Sequence, residues 1–389
     1  MISMQNSEPI FTYNFFLITF INFMVFFCFQ MVFPILPLYV QKLGGSDAVV
    51  GMVLGIFTFS TVLARPLTGY LLDRHRKKFI LVGSLSVFAM VIFSYGLTAS
   101  IGALMVVRII HGFGWGFAGT TTSTIASEMI PKARFGEGMG YFSLANSLAM
   151  ALAPASGIYI EMRYGDASVF FTAAVFGVLA FAAAFFLKCK SPEVVRPAVN
   201  GGLYEKEAII PGVMLFLVAM AYGGVISFLP LFAAEKGIQN IGGFFVVYAL
   251  SILLTRPLMG KMVDRWGFDY TVIPGFVCLL IALVLLADLR SSRMLMVVAV
   301  IYGTGFGAMI TSLQTMAVRD VPRNRIGAAN ATLFTGNDLG IGLGVMLLGM
   351  VAEAWGYRDM YLFTAFPLLA ALIFYVLFVW GHKLKLKEA

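Results

Sequence analysis

Long apolar stretches alternate with short polar ones along almost the whole chain. Twelve of these stretches hold about 20 predominantly apolar residues, which is the length that an α-helix needs to cross the hydrocarbon core of a bilayer. The pattern therefore predicts twelve transmembrane helices, with boundaries placed to within about 2 to 4 residues. The predicted spans are 11–33, 51–72, 79–98, 103–127, 137–160 and 168–187 in the first half of the chain, and 208–229, 242–263, 271–289, 294–318, 327–351 and 360–380 in the second.

One ten-residue pattern recurs, with six of its ten positions identical. Residues 65–74 read RPLTGYLLDR, and residues 256–265, 191 positions later, read RPLMGKMVDR. The same offset superposes further glycine, proline, arginine and asparagine positions, which indicates an internal duplication; in an apolar chain this is typical of a carrier whose site lies between two repeats. We therefore predict an all-α membrane protein with two pseudo-symmetric bundles of six helices, at 1–187 and 208–389, joined by a central cytoplasmic loop at 188–207.

The composition supports a membrane protein. Hydrophobic residues make up 60% of the chain, charged residues only 12%, and the mean hydropathy is +0.91. A water-soluble core could not bury this much apolar surface. The three cysteines, Cys28, Cys189 and Cys278, are far apart in the sequence and lack metal-ligand spacing, so we expect neither a disulfide framework nor a metal site.

The net charge of +8 is explained by membrane topology and does not indicate nucleic-acid binding, because the basic residues are scattered among short loops. If the N-terminus is cytoplasmic, 18 Lys and Arg residues fall in inner segments and 6 in outer ones, while Arg65, Arg108 and Arg256 lie within spans. The positive-inside rule then predicts both termini in the cytoplasm. We expect a multi-pass protein of the cell membrane with two parallel repeats.

The repeated sequence contains residue types with distinct physical uses. Gly69 allows two helices to approach closely, and Asp73 can accept hydrogen bonds from a helix N-terminus. The basic run RHRKK that follows can contact anionic lipid headgroups. A loop with this order after span 2, copied more weakly after span 8, resembles the cytoplasmic motif of the major facilitator superfamily, whose members move solutes by alternating access.

In that family the loop latches the inner face of the transporter. The first copy here departs from the motif at Arg76, where the family has glycine, and the second copy keeps Gly267 but lacks the usual basic residues after it. The resemblance implies a conformational latch made of Arg65, Gly69, Asp73 and Arg74 in the first copy and Arg256, Gly260, Asp264 and Arg265 in the second.

Two further segments resemble motifs of the proton-coupled exporters in this superfamily. Span 5 contains ANSLAMALAPASGIYI, in which Pro154 and Gly157 match a Gly-rich, Pro-containing motif, although Ala153 occupies a place where glycine is usual. Span 4 contains RIIHGFGWG, in which Arg108 and Gly112 match an Arg-x-x-x-Gly motif. The resemblance therefore implies a drug/proton antiporter with twelve spans.

A few charged or titratable residues lie where the bilayer makes them costly. A charge at mid-membrane costs about 2.5 to 3.5 kcal/mol on insertion scales, so it is usually retained for transport. Asp338 lies in the middle of span 11, and Arg108, His111 and Trp115 follow one face of span 4 at i, i+3 and i+7. We predict that Asp338, Arg108 and His111 couple transport to protons. The alternatives are a structural ion pair for Asp338 and a satisfied core histidine for His111.

Further polar and aromatic residues could complete a substrate cavity, since the resemblance implies that spans 1, 4, 7 and 10 line it. Buried Asn and Gln side chains can equally bond neighbouring helices to each other, a contribution of about 0.6 to 2 kcal/mol each. The candidate cavity residues are Asn22, Gln30, Trp115, Asn146, Tyr222, Tyr302 and Asn337.

These observations together predict a secondary transporter that exports a small molecule, amphipathic ones included, in exchange for protons. Proton-linked uptake or uniport of a small metabolite, and lipid flipping, are the alternatives. The sequence has no Walker-type loop, and His111 has neither a nucleophile signature nor a second histidine for a metal, so we expect no cofactor and no enzymatic activity. The expected partners are a small-molecule substrate, protons and the lipid bilayer, without nucleic acid, and we expect a monomer.

Overall fold

The computed structural model describes residues 9–45, 47–189, 202–238 and 241–377, and every regular element in these ranges is helical. Single 3₁₀ turns at Lys132–Arg134, Lys206–Ala208 and Arg323–Arg325 precede three of the helices. The helices are α1 (Tyr13–Val32), α2 (Ile35–Lys42), α3 (Asp47–Leu72), α4 (Lys77–Tyr95), α5 (Ile101–Met129), α6 (Phe135–Tyr164), α7 (Asp166–Phe186), α8 (Ile209–Glu235), α9 (Ile241–Trp266), α10 (Asp269–Ala287), α11 (Ser292–Val318), α12 (Ile326–Phe363) and α13 (Ala365–Tyr375).

Eleven helical stretches in the described ranges are long and apolar enough to cross a membrane, and the last of them, Ile326–Tyr375, has 50 residues. This stretch is interrupted at Gly356, where φ is 81° and ψ is 169°. Gly165, 191 positions earlier, has φ 81° and ψ 171° at the junction of α6 and α7. Because both repeats turn at the same position, the break at Gly356 accounts for a twelfth crossing. The all-α membrane fold predicted from the sequence is confirmed.

The helix boundaries differ from the predicted spans in two places. The short helix α2 was not predicted; it begins directly after Pro34, a residue type that suits the start of a helix because its missing N–H group would have no partner there. Helix α12 continues well beyond residue 351, because the chain does not leave the helical path until Gly356. Of the predicted central loop, residues 190–201 lie outside the described residues, as do residues 378–380 of the last predicted span.

The chain forms two compact units, and unit 1 comprises Met1–Arg134, Phe142–Glu205 and Val321–Thr332. Within it, α5 packs against α1, α3 and α4, and α7 packs against α1 and α4. Glycines permit the close packing of α3 on α5: a Cβ atom on Gly112 would lie 2.5 Å from the carbonyl oxygen of Phe57, and one on Gly116 would lie 2.7 Å from the Cβ of Ala64. Helix α5 is therefore the central element of this unit.

Unit 2 comprises Phe135–Tyr141, Lys206–Asp320 and Leu333–Ala389. Within it, α11 packs against α8, α9 and α10, and α13 packs against α8 and α10. A Cβ atom on Gly303 would lie 2.8 Å from the carbonyl oxygen of Tyr248, which repeats the contact of Gly112 with Phe57 at the 191-residue offset. Each unit thus contains the same helix packing. The boundaries predicted from the sequence for two separate bundles stay a prediction.

Candidate functional site

Helix α5 carries the polar stripe predicted from the sequence, and Arg108, His111 and Trp115 are all buried in unit 1. Ser100 begins the helix by accepting a hydrogen bond from the N–H of Ala103, and Ser291 does the same for α11 at the repeat offset. The stripe lies on the side of α5 that faces aromatic residues of α1, α3 and α4. The structure therefore brings the three predicted residues together in an apolar environment.

The guanidinium of Arg108 is buried, with 1% of the residue exposed. Its Nε donates a hydrogen bond of 3.0 Å to the carbonyl oxygen of Val53, and its central carbon lies 4.2 Å from the centroid of the Phe57 ring. Its Nη1 has no hydrogen-bond partner among the described residues. Arg108 is therefore a buried cation with an unused donor.

The imidazole of His111 is completely buried. Its Nδ1 lies 2.8 Å from the hydroxyl oxygen of Tyr95, and its Nε2 has no hydrogen-bond partner in the described part of the chain. The centroids of Phe57 and Phe88 lie 5.0 and 5.3 Å from that of His111, with edge-to-face or tilted geometry. One ring nitrogen is satisfied and the other is not, so His111 is only partly explained as a core residue.

Residues of α1 complete the aromatic surroundings. Phe29 stacks on Trp115 with centroids 4.2 Å apart and also contacts His111 edge-on at 5.9 Å. Further along α1, Asn22 donates from its amide to the side-chain oxygen of Asn146 and accepts a hydrogen bond of 3.2 Å from Thr122. The pairing of Asn22 with Asn146 joins α1 to α6. Gln30 is half-buried on α1.

Unit 2 contains a group of stacked aromatic residues around Phe306 of α11. The ring of Tyr222 lies 4.5 Å from that of Phe306 with an interplanar angle of 16°, and the ring of Tyr302 lies 6.3 Å from it at 8°. Tyr248 contacts both Tyr302 and Phe306, and its buried hydroxyl has no hydrogen-bond partner within the described ranges. The structure thus brings two of the predicted cavity residues, Tyr222 and Tyr302, to one aromatic surface.

The acidic candidate on α12 is Asp338, which is half-buried. Its Oδ1 accepts a hydrogen bond of 3.3 Å from the side-chain amide of Asn337, the neighbouring residue, and it has a further interaction within the structure. Asp338 belongs to unit 2, whereas Arg108 and His111 belong to unit 1. The three residues predicted to couple transport to protons are therefore divided between the units.

The first copy of the repeated motif forms a helix cap in unit 1. Asp73 follows directly after α3, and its two carboxylate oxygens accept hydrogen bonds from the N–H groups of Gly327 (2.9 Å) and Ala328 (3.1 Å) at the start of α12. Arg325 lies 3.7 Å from the same carboxylate. Burial raises the pKa of the Asp73 carboxyl to about 7, although both N–H groups and the charges of Arg325 and Lys77 act in the opposite direction.

Arg325 connects this cap to the segment that precedes α8. Its Nε donates to the carboxylate of Glu205 at 2.6 Å, and its two terminal nitrogens donate to the carbonyl oxygens of Gly202 and Tyr204. The backbone N–H of Glu205 in turn donates to the hydroxyl of Thr332 at 3.0 Å. A single guanidinium therefore holds an acidic side chain and two backbone carbonyls beside the Asp73 cap.

The second copy of the motif forms the equivalent cap in unit 2. Asp264 accepts hydrogen bonds from the N–H groups of Gly136 (3.1 Å) and Glu137 (3.0 Å) at the start of α6. Lys261 lies 3.5 Å from the carboxylate of Glu137. The carboxylates of both motif copies thus stabilise the positive end of a helix dipole and satisfy N–H groups that have no partner inside the helix.

The other predicted latch residues are two glycines in contact with the capped helices, two buried arginines, and two arginines that are half-buried or exposed. A Cβ atom on Gly69 would lie 2.8 Å from the carbonyl oxygen of Gly327, and one on Gly260 would lie 2.2 Å from that of Gly136, so both glycines allow close backbone contact. Arg65 and Arg256 are each only 4% exposed, and Arg65 donates to Thr120 at 3.1 Å. The guanidinium of Arg74 lies over the ring of Tyr70, while Arg265 is exposed.

The protein family of this chain is identified by its similarity to known proteins. The model of the Major Facilitator Superfamily matches residues 18–246 and 211–388 of this chain. The chain belongs to that superfamily. It is therefore a multi-pass membrane transporter and not an enzyme.

Among relatives in the superfamily, the multidrug resistance protein MdtG of Citrobacter koseri is 26% identical over 379 residues, which covers 92% of each chain. MdtG of Dickeya zeae is 27% identical and covers 87% of each chain. An uncharacterized MFS-type transporter of Methanocaldococcus jannaschii is 24% identical and covers 88% of this chain and 92% of its own. The solved structure of the human organic anion transporter MFSD10 has a TM-score of 0.78 at 16% identity, covering 92% of this chain and 98% of its own, which shows the shared fold.

The sequence analysis missed several residues that contact the α5 stripe or the caps. Tyr95 and Phe57 contact the α5 stripe from other helices, so no local pattern indicates them. Glu205 falls at the end of the predicted loop and carries no motif. The sequence identified Arg325 only as the repeat counterpart of Arg134 and gave no role for it, although both arginines lie three positions after a proline.

Proposed function

We propose that this transporter exports a small molecule across the cytoplasmic membrane in exchange for protons, by alternating access. The observation that carries the proposal is the position of Asp338, a half-buried carboxylate twelve residues into the long apolar helix α12. A carboxylate at that depth is costly, and residues of this kind are usually retained for the transport cycle. The multidrug resistance proteins among the relatives support export over uptake.

In the proposed cycle Asp338 gains a proton from the outer side and releases it on the inner side. Protonation neutralises the carboxylate and lowers its cost in the membrane interior, so the conformations of the transporter change in relative free energy as the proton binds. Arg108 and His111 of unit 1 are proposed to take part in the same proton coupling. Asn22, Gln30, Trp115, Asn146, Tyr222, Tyr302 and Asn337 contribute to the substrate cavity.

The two carboxylate caps are proposed to act as the conformational latch. Asp73 and Asp264 stabilise the conformation described here and release their N–H partners when the transporter switches. Each of these carboxylates lies at one end of a span, and the distribution of Lys and Arg assigns that end to the cytoplasmic side. The same distribution assigns both termini to the cytoplasm. A latch of this kind lowers the rate of switching without contacting the substrate.

The test uses inside-out vesicles with an acidic interior, prepared from cells that lack their own efflux pumps. A panel of candidate substrates is added, and dissipation of the pH gradient is followed with a pH-sensitive dye. We expect at least one substrate to dissipate the gradient with the native protein and none with Asp338→Asn. Asp288→Asn is the matched control, because Asp288 is an exposed carboxylate paired with Arg290.

The other outcomes separate the competing functions. An unchanged pH response in Asp338→Asn would remove this residue from proton coupling. Solute flux that does not respond to a protonophore would indicate a uniporter. Movement of labelled lipid in vesicles without added solute would indicate a flippase. Accumulation of substrate in right-side-out vesicles with an inward proton gradient would indicate uptake.

A further inference from the structure

Two buried nitrogen atoms on one face of α5 lack hydrogen-bond partners among the described residues. They are Nη1 of Arg108 and Nε2 of His111, on residues that are 1% and 0% exposed. Both side chains contact the same ring: the guanidinium carbon of Arg108 and the imidazole centroid of His111 lie 4.2 and 5.0 Å from the centroid of Phe57. The two unused atoms therefore belong to one small region of unit 1.

The contacts of Tyr95 determine what kind of partner these atoms need. A guanidinium can only donate, so the unused Nη1 of Arg108 is a donor. The hydroxyl oxygen of Tyr95 lies 2.8 Å from the Nδ1 of His111, and we assign the hydroxyl proton to this contact. A neutral imidazole that accepts at Nδ1 carries its hydrogen on Nε2. Both unused atoms are therefore donors, and one of them is permanently charged. A single group that bonded to both atoms would have to be an acceptor, and a negatively charged one fits best.

The surroundings add a second requirement. Phe29, Phe57 and Phe88 surround the imidazole, and Trp115 stacks on Phe29. A low-dielectric environment of this kind strengthens an ion pair and raises the cost of leaving the donors empty. A small hydrated anion would lose its water without gaining apolar contacts. An organic acid with an aromatic or aliphatic body satisfies both the donors and the rings.

We propose that Arg108 and His111 form a binding site for the acid group of an organic anion, with its apolar body against Phe29 and Trp115. The proposal deepens the proposed export function, since it names a substrate class for the same transporter. Tyr95 is a positioning residue that fixes the tautomer of His111. Of the described aromatic rings in contact with His111, that of Phe29 is half-buried and the others are buried. The anion therefore enters past Phe29.

The experiment measures binding to the purified full-length protein in detergent, without any proton gradient. The probes are 1-naphthoate and its neutral counterpart 1-naphthamide, which share an aromatic body and differ in charge. Binding is followed by calorimetry and by the rise in thermal unfolding temperature. We expect naphthoate to bind at least about ten-fold more tightly than naphthamide, because a charge-assisted hydrogen bond corresponds to about a ten-fold change or more.

The variants assign this preference to the two donors. Arg108→Gln should remove the preference for naphthoate, and Arg108→Lys should restore only part of it, because lysine lacks the planar fork. His111→Phe should weaken naphthoate binding with little effect on naphthamide. Tyr95→Phe should weaken naphthoate less than His111→Phe does. Phe29→Ala should raise the association rate of naphthoate.

Nitrogen NMR gives a readout that does not depend on any variant folding. The chain has 3 histidines, so labelled imidazole signals can be assigned individually. Naphthoate should shift the Nε2 signal of His111 and leave its Nδ1 signal nearly unchanged. Equal binding of naphthamide and naphthoate, or no shift of the His111 signal at saturating naphthoate, would overturn the proposal and leave an internal water as the occupant.

The failure of this inference is distinguishable from failure of the proposed function. Asp338→Asn should keep its affinity for naphthoate while it loses proton coupling. If the native protein couples export to protons yet shows no preference for naphthoate, the anion site is wrong and proton antiport stands. If naphthoate binds through Arg108 but no substrate dissipates a pH gradient, the anion site stands and proton antiport is wrong.

Discussion

Asp73 and Asp264, which are 191 positions apart, cap two different helices in the same way. Asp73 accepts hydrogen bonds from the N–H groups of Gly327 and Ala328 of α12, and Asp264 accepts them from the corresponding two residues of α6. The donors are related by the same offset as the acceptors. Each copy of the repeat therefore supplies a carboxylate to the helix that begins in the other copy.

The first prediction concerns these caps. Asp73→Asn and Asp264→Asn each replace a carboxylate that accepts two N–H bonds with an amide that has one acceptor atom. Loss of a cap costs about 0.5 to 2 kcal/mol, which corresponds to about a 2- to 30-fold rise in local opening. Hydrogen–deuterium exchange should become faster at 326–332 in Asp73→Asn and at 135–141 in Asp264→Asn.

The control for the caps is Asp288→Asn, which removes an exposed carboxylate paired with Arg290 and should change exchange at neither segment. Each cap variant should change exchange at its own segment more than at the other variant's segment, because the two caps lie in different units. Native protection of both segments in both variants would show that the carboxylates contribute nothing to this conformation.

The fold was largely predictable because its signals are local or repeated. Apolar runs of membrane length marked the helices, and the recurring ten-residue pattern indicated an internal duplication. The superfamily predicted from these signals is confirmed. Gly356, where the last long helix is interrupted, is the repeat counterpart of Gly165, so the 191-residue offset already related the two glycines. Helix α2 was missed, because eight residues beside a proline give too short a pattern to separate from a loop.

The site was less predictable, because its contacts join positions far apart in the chain. The spacing of Arg108, His111 and Trp115 was enough to place them on one face of a helix. It gave no information on Val53 or Tyr95, which bond to that face from α3 and α4. The roles proposed for these residues in proton coupling stay predictions that transport measurements must test.

The second prediction uses the glycines at the caps. A Cβ atom on Gly260 would lie 2.2 Å from the carbonyl oxygen of Gly136 and 2.9 Å from the backbone nitrogen of Glu137. Both are backbone atoms at the start of α6, so a side-chain rotation cannot relieve the contact. Gly260→Ala should therefore lower the stability of this conformation by about 1 to 3 kcal/mol, measured as the thermal unfolding temperature in detergent.

The matched control is Gly102→Ala, at a position in α5 where an added Cβ would have nothing within 4 Å. Alanine favours a helix over glycine by about 1 kcal/mol, so this variant should unfold at the native temperature or above it. The two glycine-to-alanine changes are thus expected to have opposite signs. A fall of equal size in both would mean that the close contact at Gly260 is unimportant.

The third prediction separates backbone strain from lack of space. Gly165 and Gly356 have φ of 81° and ψ near 170°, a combination that is essentially restricted to glycine, yet a Cβ atom at either position would meet nothing within 4 Å. Alanine at either site should cost about 1 to 3 kcal/mol through strain alone. Thermal unfolding of Gly165→Ala and Gly356→Ala measures this cost.

Asparagine distinguishes this backbone region from an ordinary left-handed turn. Asparagine tolerates the left-handed helical region, where ψ is about 45°, but that tolerance does not extend to ψ near 170°. Gly165→Asn and Gly356→Asn should therefore be as destabilising as the alanine variants. A clear recovery of stability with asparagine would show that the turns relax into the left-handed helical region.

The last prediction is a pH dependence of the Asp73 cap. Burial raises the pKa of this carboxyl from 3.8 to about 7 in the capped state, so the capped state holds the proton more tightly than an exposed aspartate does. Because the capped state binds the proton more tightly than the open state, the cap is most stable relative to the open form at low pH. The cap loses stability as the pH rises from about 4 to about 7, and its stability changes little above pH 7. The charged groups that face the carboxyl are Arg325 and Lys77, and Glu205 binds the same Arg325.

Exchange at 326–332, corrected for the intrinsic effect of pH on amide exchange, measures this dependence. Local opening should increase between pH 6 and pH 7.5 in the native protein. Asp73→Asn cannot titrate and should show a flat profile over the same range. Glu205→Gln should keep the slope, because Arg325 still faces Asp73. The prediction is wrong if local opening at 326–332 in the native protein decreases with rising pH. In that case the N–H groups and Arg325 would outweigh the burial of Asp73 and hold its pKa below the range tested.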